Sequence, residues 1–278
     1  MLGVFDSGFG GMTVLRAIHE RLPNVSTVYL GDNARAPYGT RSHEEIFAFA
    51  LEGVRELFRR GCPLVILACN SASAQALRQI QREVLPNEFP DRRVLGVIRP
   101  TAEEIVSLSA TRHIGVFATP ATVASGSYPR EIQGAVVTQV ACPGLVDLIE
   151  AGRERSAEAN ELVATFCAQM VATDPAIDAV LLGCTHYPLV DGLFKKHVNA
   201  SAEINPGGGS RRVVSQGAIV AEKLADYLVR HPDMAGRMDR TGSRTYLTTK
   251  NDETLSSLAS RFYGDGVSFE RVDIVPSR

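Results

Sequence analysis

The sequence predicts an α/β protein built of two related halves. Each half is a mostly parallel sheet flanked by helices, and the working site lies in the cleft between them. Three observations carry this prediction. Short apolar runs rich in β-branched residues alternate with longer amphipathic segments. Most of those runs are continuously apolar rather than alternating, as strands covered on both faces require. The chain also echoes itself. "VFDSG" at 4–8 returns as "VFATP" at 116–120, and "LVILACNSA" at 64–72 returns as "AVLLGCTHY" at 179–187. The two offsets, 116 − 4 = 112 and 179 − 64 = 115, nearly coincide, so the echo is one duplicated unit.

In chain order, strands are expected at 2–5, 26–30, 63–68, 93–98, 113–118, 136–141 and 178–183. Helical patterns fall between them at 42–60, 71–84, 101–110, 144–152 and 155–172. The first strand runs into Asp6 and Ser7 and then into three glycines, Gly8, Gly10 and Gly11, a strand–turn–helix junction. Such a junction resembles a phosphate cradle, but "DSGFGG" has no P-loop lysine, which favours a loop whose backbone approaches a small substrate. The tail, 245–278, reads differently: "TYLTT" and "SFERVDIV" flank a short helix and decorate an edge. "NPGGGS" at 205–210 is the expected crossing point between the halves. The first half is thus expected to comprise 1–96 with 208–278, and the second 97–207.

Composition excludes several classes of function. The chain has 278 residues, 45% hydrophobic and 22% charged, with a net charge of −2, so neither a nucleic-acid surface nor a polybasic membrane contact is expected. No apolar stretch reaches the roughly 20 residues of a membrane span, and the N-terminus does not read as a signal peptide. Five cysteines, an odd number, argue against a disulfide framework and for a reducing cytoplasm. Lysine is scarce: the only four are Lys195, Lys196, Lys223 and Lys250, and none follows a candidate site motif. A Schiff-base cofactor is therefore not expected, and no cofactor is assigned.

Cys69 and Cys184 hold equivalent places in the echo, each closing an apolar strand. Residues suited to helix starts follow them: Asn70 and Ser71 in one case, Thr185 and then Pro188 in the other. A thiol at a helix N-terminus is biased toward the thiolate. One buried cysteine is most simply core; two at mirrored strand ends point to chemistry. A nucleophilic hydrolase needs one thiol with a histidine base. Racemisation needs two proton-transfer groups, one on each face of a carbon. A metal site is not expected, because Cys184 and His186 stand alone without CxxC or HxxxH partners.

"DSGFGG", "PYG" at 37–39, "ACNSASA" at 68–74, "TPATVASGSY" at 119–128 and "LLGCTHYPL" at 181–189 together resemble glutamate racemase, of the aspartate/glutamate racemase superfamily. The similarity runs in order across nearly the whole chain. It implies a cofactor-independent enzyme that makes D-glutamate for bacterial cell walls, with Cys69 and Cys184 as its two acid/base residues. It also implies substrate contacts from Asp6, Ser7, Tyr38, Gly39, Asn70, Ser71, Thr185 and His186, and a homodimer. Glutamate is the only small-molecule partner it calls for.

Each supporting residue has a plainer alternative. Asp6 fits assistance to Cys69 or contact with the substrate ammonium, and equally a cap on its own turn. His186 fits a role beside Cys184, with Glu150 as its partner by resemblance, yet a histidine near a helix start is often structural. Tyr38 and Gly39 fit an exposed backbone donor loop for the side-chain carboxylate, or an ordinary surface turn. Thr119 and Thr122 fit the α-carboxylate, or a helix cap. Cys62, Cys142 and Cys167 read as core, and His19, His43, His113, His197 and His231 as solvated. Ser71 stands where the family usually has threonine, and Asn205 where an aspartate is expected. An aspartate or other amino-acid racemase of the same superfamily, a single-thiol hydrolase or lyase, and a catalytically silent binding protein remain the alternatives.

Overall fold

A computed structural model describes residues 1–200, 209–250 and 255–274. Its strands, in chain order, are β1 (Leu2–Asp6), β2 (Thr27–Gly31), β3 (Leu64–Leu67), β4 (Arg93–Gly96), β5 (His113–Ala118), β6 (Val136–Ala141), β7 (Ala179–Gly183), β8 (Arg212–Val214), β9 (Arg244–Thr248) and β10 (Phe269–Arg271). They form two sheets, one of order β10-β9-β2-β1-β3-β4 and one of order β6-β5-β7-β8. Every strand pair is parallel. The seven expected strands are all present within two residues of their expected ends. Burial on both faces explains why they read as continuous apolar runs: every residue of β1, β2, β3 and β7 is buried.

The internal echo is structural. The order β2-β1-β3-β4 in the first sheet repeats as β6-β5-β7-β8 in the second. β1 therefore matches β5 and β3 matches β7, so Ser7 has Thr119 as its counterpart and Cys69 has Cys184. β9 and β10 add to the β2 edge of the first sheet, with the helix Leu255–Tyr263 between them.

Three expectations need correction. β8 lies beyond position 208, where the sequence placed the return to the first half, yet it belongs to the second sheet. It is three residues long and, among the described residues, pairs only with β7, too short to leave a periodic signal. The helix expected at 101–110 is Ile98–Ser107. Pro100 is accommodated as the third helical residue, where its missing N–H has no intrahelical partner to lose. The helix expected at 71–84 is broken into Asn70–Gln75, Leu77–Gln79 and a π-turn at Ile80–Val84.

The helix Met12–Arg21, which completes the strand–turn–helix junction, packs on Gly217–Arg230, a helix absent from the sequence reading. A Cβ on Gly217 would stand 3.1 Å from the Thr13 carbonyl oxygen, so the glycine sets how closely they approach. The helix His43–Arg59 likewise lays Gly53 on the Phe5 ring of β1, where a Cβ would overlap the ring. Gly53→Ala is expected to lower stability by about 1–3 kcal/mol through overpacking. Alanine's better helix propensity returns at most about 1 kcal/mol. Urea unfolding reads the outcome; an unchanged or raised midpoint would contradict this packing.

Candidate functional site

The loops after β1, β3, β5 and β7 converge at the C-terminal ends of the two sheets. Asp6 closes β1 and is wholly buried, and its Oδ1 accepts the Gly8 N–H at 2.9 Å. The turn-capping role is real, but the carboxylate also faces the other half, because its Oδ2 accepts the Thr185 hydroxyl at 3.4 Å. The glycines make this approach feasible. A Cβ on Gly11 would meet the Asp6 carboxyl group, and one on Gly10 would overlap the Thr185 hydroxyl and the His186 ring. One on Gly8 would lie 3.1 Å from Glu150 Oε1. Burial raises the Asp6 pKa, against the His186 charge and the Gly8 and Gly11 N–H groups, which lower it.

Cys69 follows β3 as the N-cap of the helix Asn70–Gln75. Its sulfur accepts the Ala72 N–H at 3.5 Å and its thiol donates to Ser7 Oγ at 3.4 Å. The helix end was expected to favour the thiolate, but here it is outweighed. Burial and the neighbouring Asp6 charge push the thiol up to about 12, with Ser7 and Ala72 only partly offsetting them. The helix has six residues, so its dipole is short, whereas desolvation acts on the whole charge.

Cys184 follows β7, also buried, with its sulfur 3.9 Å from His186 Nδ1. His186 Nε2 meets Glu150 Oε1 at 2.9 Å. Burial disfavours the imidazolium, but the hydrogen bonds and charges of Cys184 and Glu150 prevail and raise the His186 pKa to about 10. Burial raises Glu150, but His186 and Lys250 more than offset it and lower its pKa. The expected helix cap at Cys184 is absent. Pro188 sits in the tight turn Tyr187–Val190, and the helix begins only at Asp191. A protonated histidine stands where a helix end was expected.

Side chains from the two halves close the site across the cleft. Ser71 Oγ lies 3.0 Å from Thr119 Oγ1 and 3.4 Å from Thr122 Oγ1. Thr119 also caps its own helix, accepting the Thr122 N–H at 3.4 Å, so both readings of this threonine hold. Thr13 donates to the Thr185 carbonyl at 3.1 Å. Tyr38 and Gly39 depart from expectation: they are buried, not an exposed turn. The Tyr38 hydroxyl donates to Asp32 Oδ2 and its ring packs near Phe5 and Phe49. Gly39 packs on Thr119, whose Cβ would stand 2.8 Å from a Cβ placed there. Among the described residues, no group of three His, Cys, Asp or Glu side chains is placed to hold a metal ion. Nor is any helix of the described residues long and apolar enough to cross a membrane.

A family profile for Asp/Glu/Hydantoin racemase matches residues 7–207. The chain belongs to that racemase family. Its full-length relatives include the glutamate racemase of Paracoccus denitrificans, 44% identical, with 97% of this chain and 98% of the relative covered. That of Roseobacter denitrificans is 42% identical, with 96% and 98% covered. Among solved structures, a glutamate racemase of Bacillus anthracis superposes with a TM-score of 0.85 at 30% identity, covering 99% of this chain and 97% of its own. The Francisella tularensis glutamate racemase, solved in complex with D-glutamate, gives a TM-score of 0.83 at 25% identity, covering 98% and 97%.

This member of the racemase family holds site-lining residues that the sequence did not single out. Tyr128 lay inside a quoted motif without a role, and its presence there was a usable signal. Gln216, just after the three-residue β8, had none. Lys250 reaches Glu150 with its charge from the C-terminal stretch. The remaining histidines were read as solvated, and His19 overturns that. It is buried, with Nδ1 2.6 Å from the Tyr263 hydroxyl and Nε2 2.8 Å from Thr27 Oγ1; burial and the Arg244 charge lower its pKa to about 4. His113, His43, His197 and His231 also have partners: Asp174, Gln75, Asn160 and the Tyr227 carbonyl. Cys62, Cys142 and Cys167 are buried, as core residues should be. Asn205, where an aspartate was expected, lies outside the described residues.

Proposed function

We propose that this chain interconverts L- and D-glutamate without a cofactor, through two cysteines that act on opposite faces of the α-carbon. The observation that carries the reading is the placement of Cys69 and Cys184 at matching strand ends of opposite halves, close enough for the Cys184 charge to act on the Cys69 thiol. In each direction one sulfur, as thiolate, takes the α-proton. Its electron pair is left on the α-carbon and delocalised into the carboxylate. The other sulfur, as thiol, then delivers its proton to the opposite face. Enzyme and product end with one thiol and one thiolate exchanged, so the charges balance.

Asp6, His186 and Glu150 act in this reading through the sulfurs: Asp6 beside Cys69, and the Glu150–His186 pair beside Cys184. Asp6 also fits the substrate ammonium. Ser7, Asn70, Ser71, Thr119, Thr122, Thr185 and the backbone of the Tyr38–Gly39 turn supply donors for the two carboxylates, whose charge grows as the carbanion forms. A cytoplasmic enzyme that supplies D-glutamate for peptidoglycan, acting as a homodimer, completes the reading; the full-length glutamate racemase relatives support its glutamate activity. The test is incubation with each glutamate enantiomer in D2O, followed by kcat/KM for L-glutamate against L-aspartate. Deuterium entering mainly the product isomer, with glutamate preferred, is expected. No α-deuteration at all, or a preference for aspartate, would sink it.

A further inference from the structure

We propose that Gln216 is a positioning residue: together with Tyr128 it clamps the Asn70 amide and, through it, the start of the Cys69 helix. The proposal rests on the reading of Cys69 as one of the two proton-transfer groups. Gln216 stands where the chain leaves β8 and enters the helix Gly217–Arg230, and it is buried. Asn70 Nδ2 donates to Gln216 Oε1 at 2.9 Å, and Gln216 Nε2 donates back to Asn70 Oδ1 at 2.9 Å. The Tyr128 hydroxyl donates to the same Asn70 Oδ1 at 2.7 Å and accepts from Gln216 Nε2. The three side chains close a ring, and all three are buried.

Each direction in the ring is set by the others. Turning the Gln216 amide over would set its carbonyl oxygen against Asn70 Oδ1 and leave buried donors facing each other. Leaving any of these groups unmet out of water is costly, so the ring behaves as one unit. It joins three segments remote in sequence: the loop after β3, the helix Ser127–Glu131 and the exit from β8. Asn70 is the first residue of the helix whose N-cap is Cys69, so a fixed Asn70 amide fixes the thiol's direction. Both lone pairs of Asn70 Oδ1 are used, while one Nδ2 hydrogen stays available to a ligand. On the other side, Gly217 abuts the Thr13 carbonyl, and the Thr13 hydroxyl holds the Thr185 carbonyl next to Cys184. Gln216 therefore sits at the join between the two thiol loops.

The test uses the full chain with Gln216→Met, which keeps the side-chain length and removes the amide, and separately Tyr128→Phe, which removes one hydroxyl. Both are expected to reduce kcat/KM by roughly 10- to 100-fold, since small misplacement of a reacting group has effects of that order. The distinguishing readout is the primary isotope effect on kcat/KM with α-deuterated L- and D-glutamate. It should rise for the one enantiomer whose α-proton goes to Cys69 and not for the other. Equal changes for both enantiomers, or kcat/KM within twofold of wild type in a folded variant, would overturn the proposal. If Gln216→Met fails to fold, Tyr128→Phe decides by the same criteria. A wild-type chain that exchanges no α-proton removes the functional reading itself; an active wild type with indifferent variants removes only the role of Gln216.

Discussion

Cys69→Ala and Cys184→Ala are each expected to lose racemisation in both directions by about 10²–10⁴-fold, because that is what a positioned acid or base contributes and no group replaces it. The two losses should be similar in overall rate, since every turnover uses both sulfurs whichever enantiomer enters. The variants differ in what remains. The surviving sulfur still faces one side of the α-carbon, so any residual exchange in D2O should label the starting enantiomer without inverting it, and the preferred enantiomer should switch between the variants. The folded state tolerates the change, because both thiols are small and alanine keeps the Cβ. Chiral chromatography of the product and a melting curve read the result. Racemisation of both enantiomers at the wild-type rate by either variant would refute the two-base scheme. It would also return that cysteine to the role of a core residue.

The legible parts of this molecule share a physical cause. β1, β3, β5 and β7 are buried on both faces and so had to be apolar from end to end. Cys69 and Cys184 were visible because they interrupt two such runs at matching places. Asp6 and Thr119 stand at the ends of the other two strands of the same frame, whereas Thr185 was singled out through the family resemblance. What stayed hidden depends on partners far away in the chain. The Gln216–Asn70 amide pair spans 146 residues, and His19 meets Tyr263 across 244. No local pattern announces either, and a buried histidine looks like a solvated one until its partners are known. β8 was hidden for another reason: three residues on one edge carry no period. Tyr38 misled because Pro-Tyr-Gly is sound turn chemistry wherever it lies, and burial of that turn is a tertiary fact.

The backbone of the site is nearly mirrored, yet its electrostatics are not. Cys69 sits against a carboxyl group and is pushed up, while Cys184 sits against an imidazole that carries a proton to about pH 10. One half therefore disfavours the Cys69 thiolate and the other sets a cation beside its sulfur, so the two sulfurs face opposite electrostatic surroundings. Asp6 and His186 also act on each other across the cleft, which ties the state of one half to that of the other.

Glu150→Gln tests that asymmetry. The carboxylate accepts from His186 Nε2 and is a main reason why the imidazolium persists against burial. Glutamine keeps an acceptor and loses the charge, so the His186 pKa should fall. A charge-assisted hydrogen bond contributes roughly 1.5–3 kcal/mol, and one pH unit corresponds to about 1.36 kcal/mol, so the alkaline limb of kcat/KM should move down by about one unit or more. Stability follows the same sign. A histidine whose folded pKa of about 10 exceeds its ordinary 6.5 adds stability that is complete below 6.5 and lost as pH rises through 10. The melting temperature of Glu150→Gln should therefore fall furthest below wild type near pH 6, and the gap should narrow toward pH 10. An alkaline limb that stays in place, or a gap that widens with pH, would show that His186 is not the cation facing Cys184.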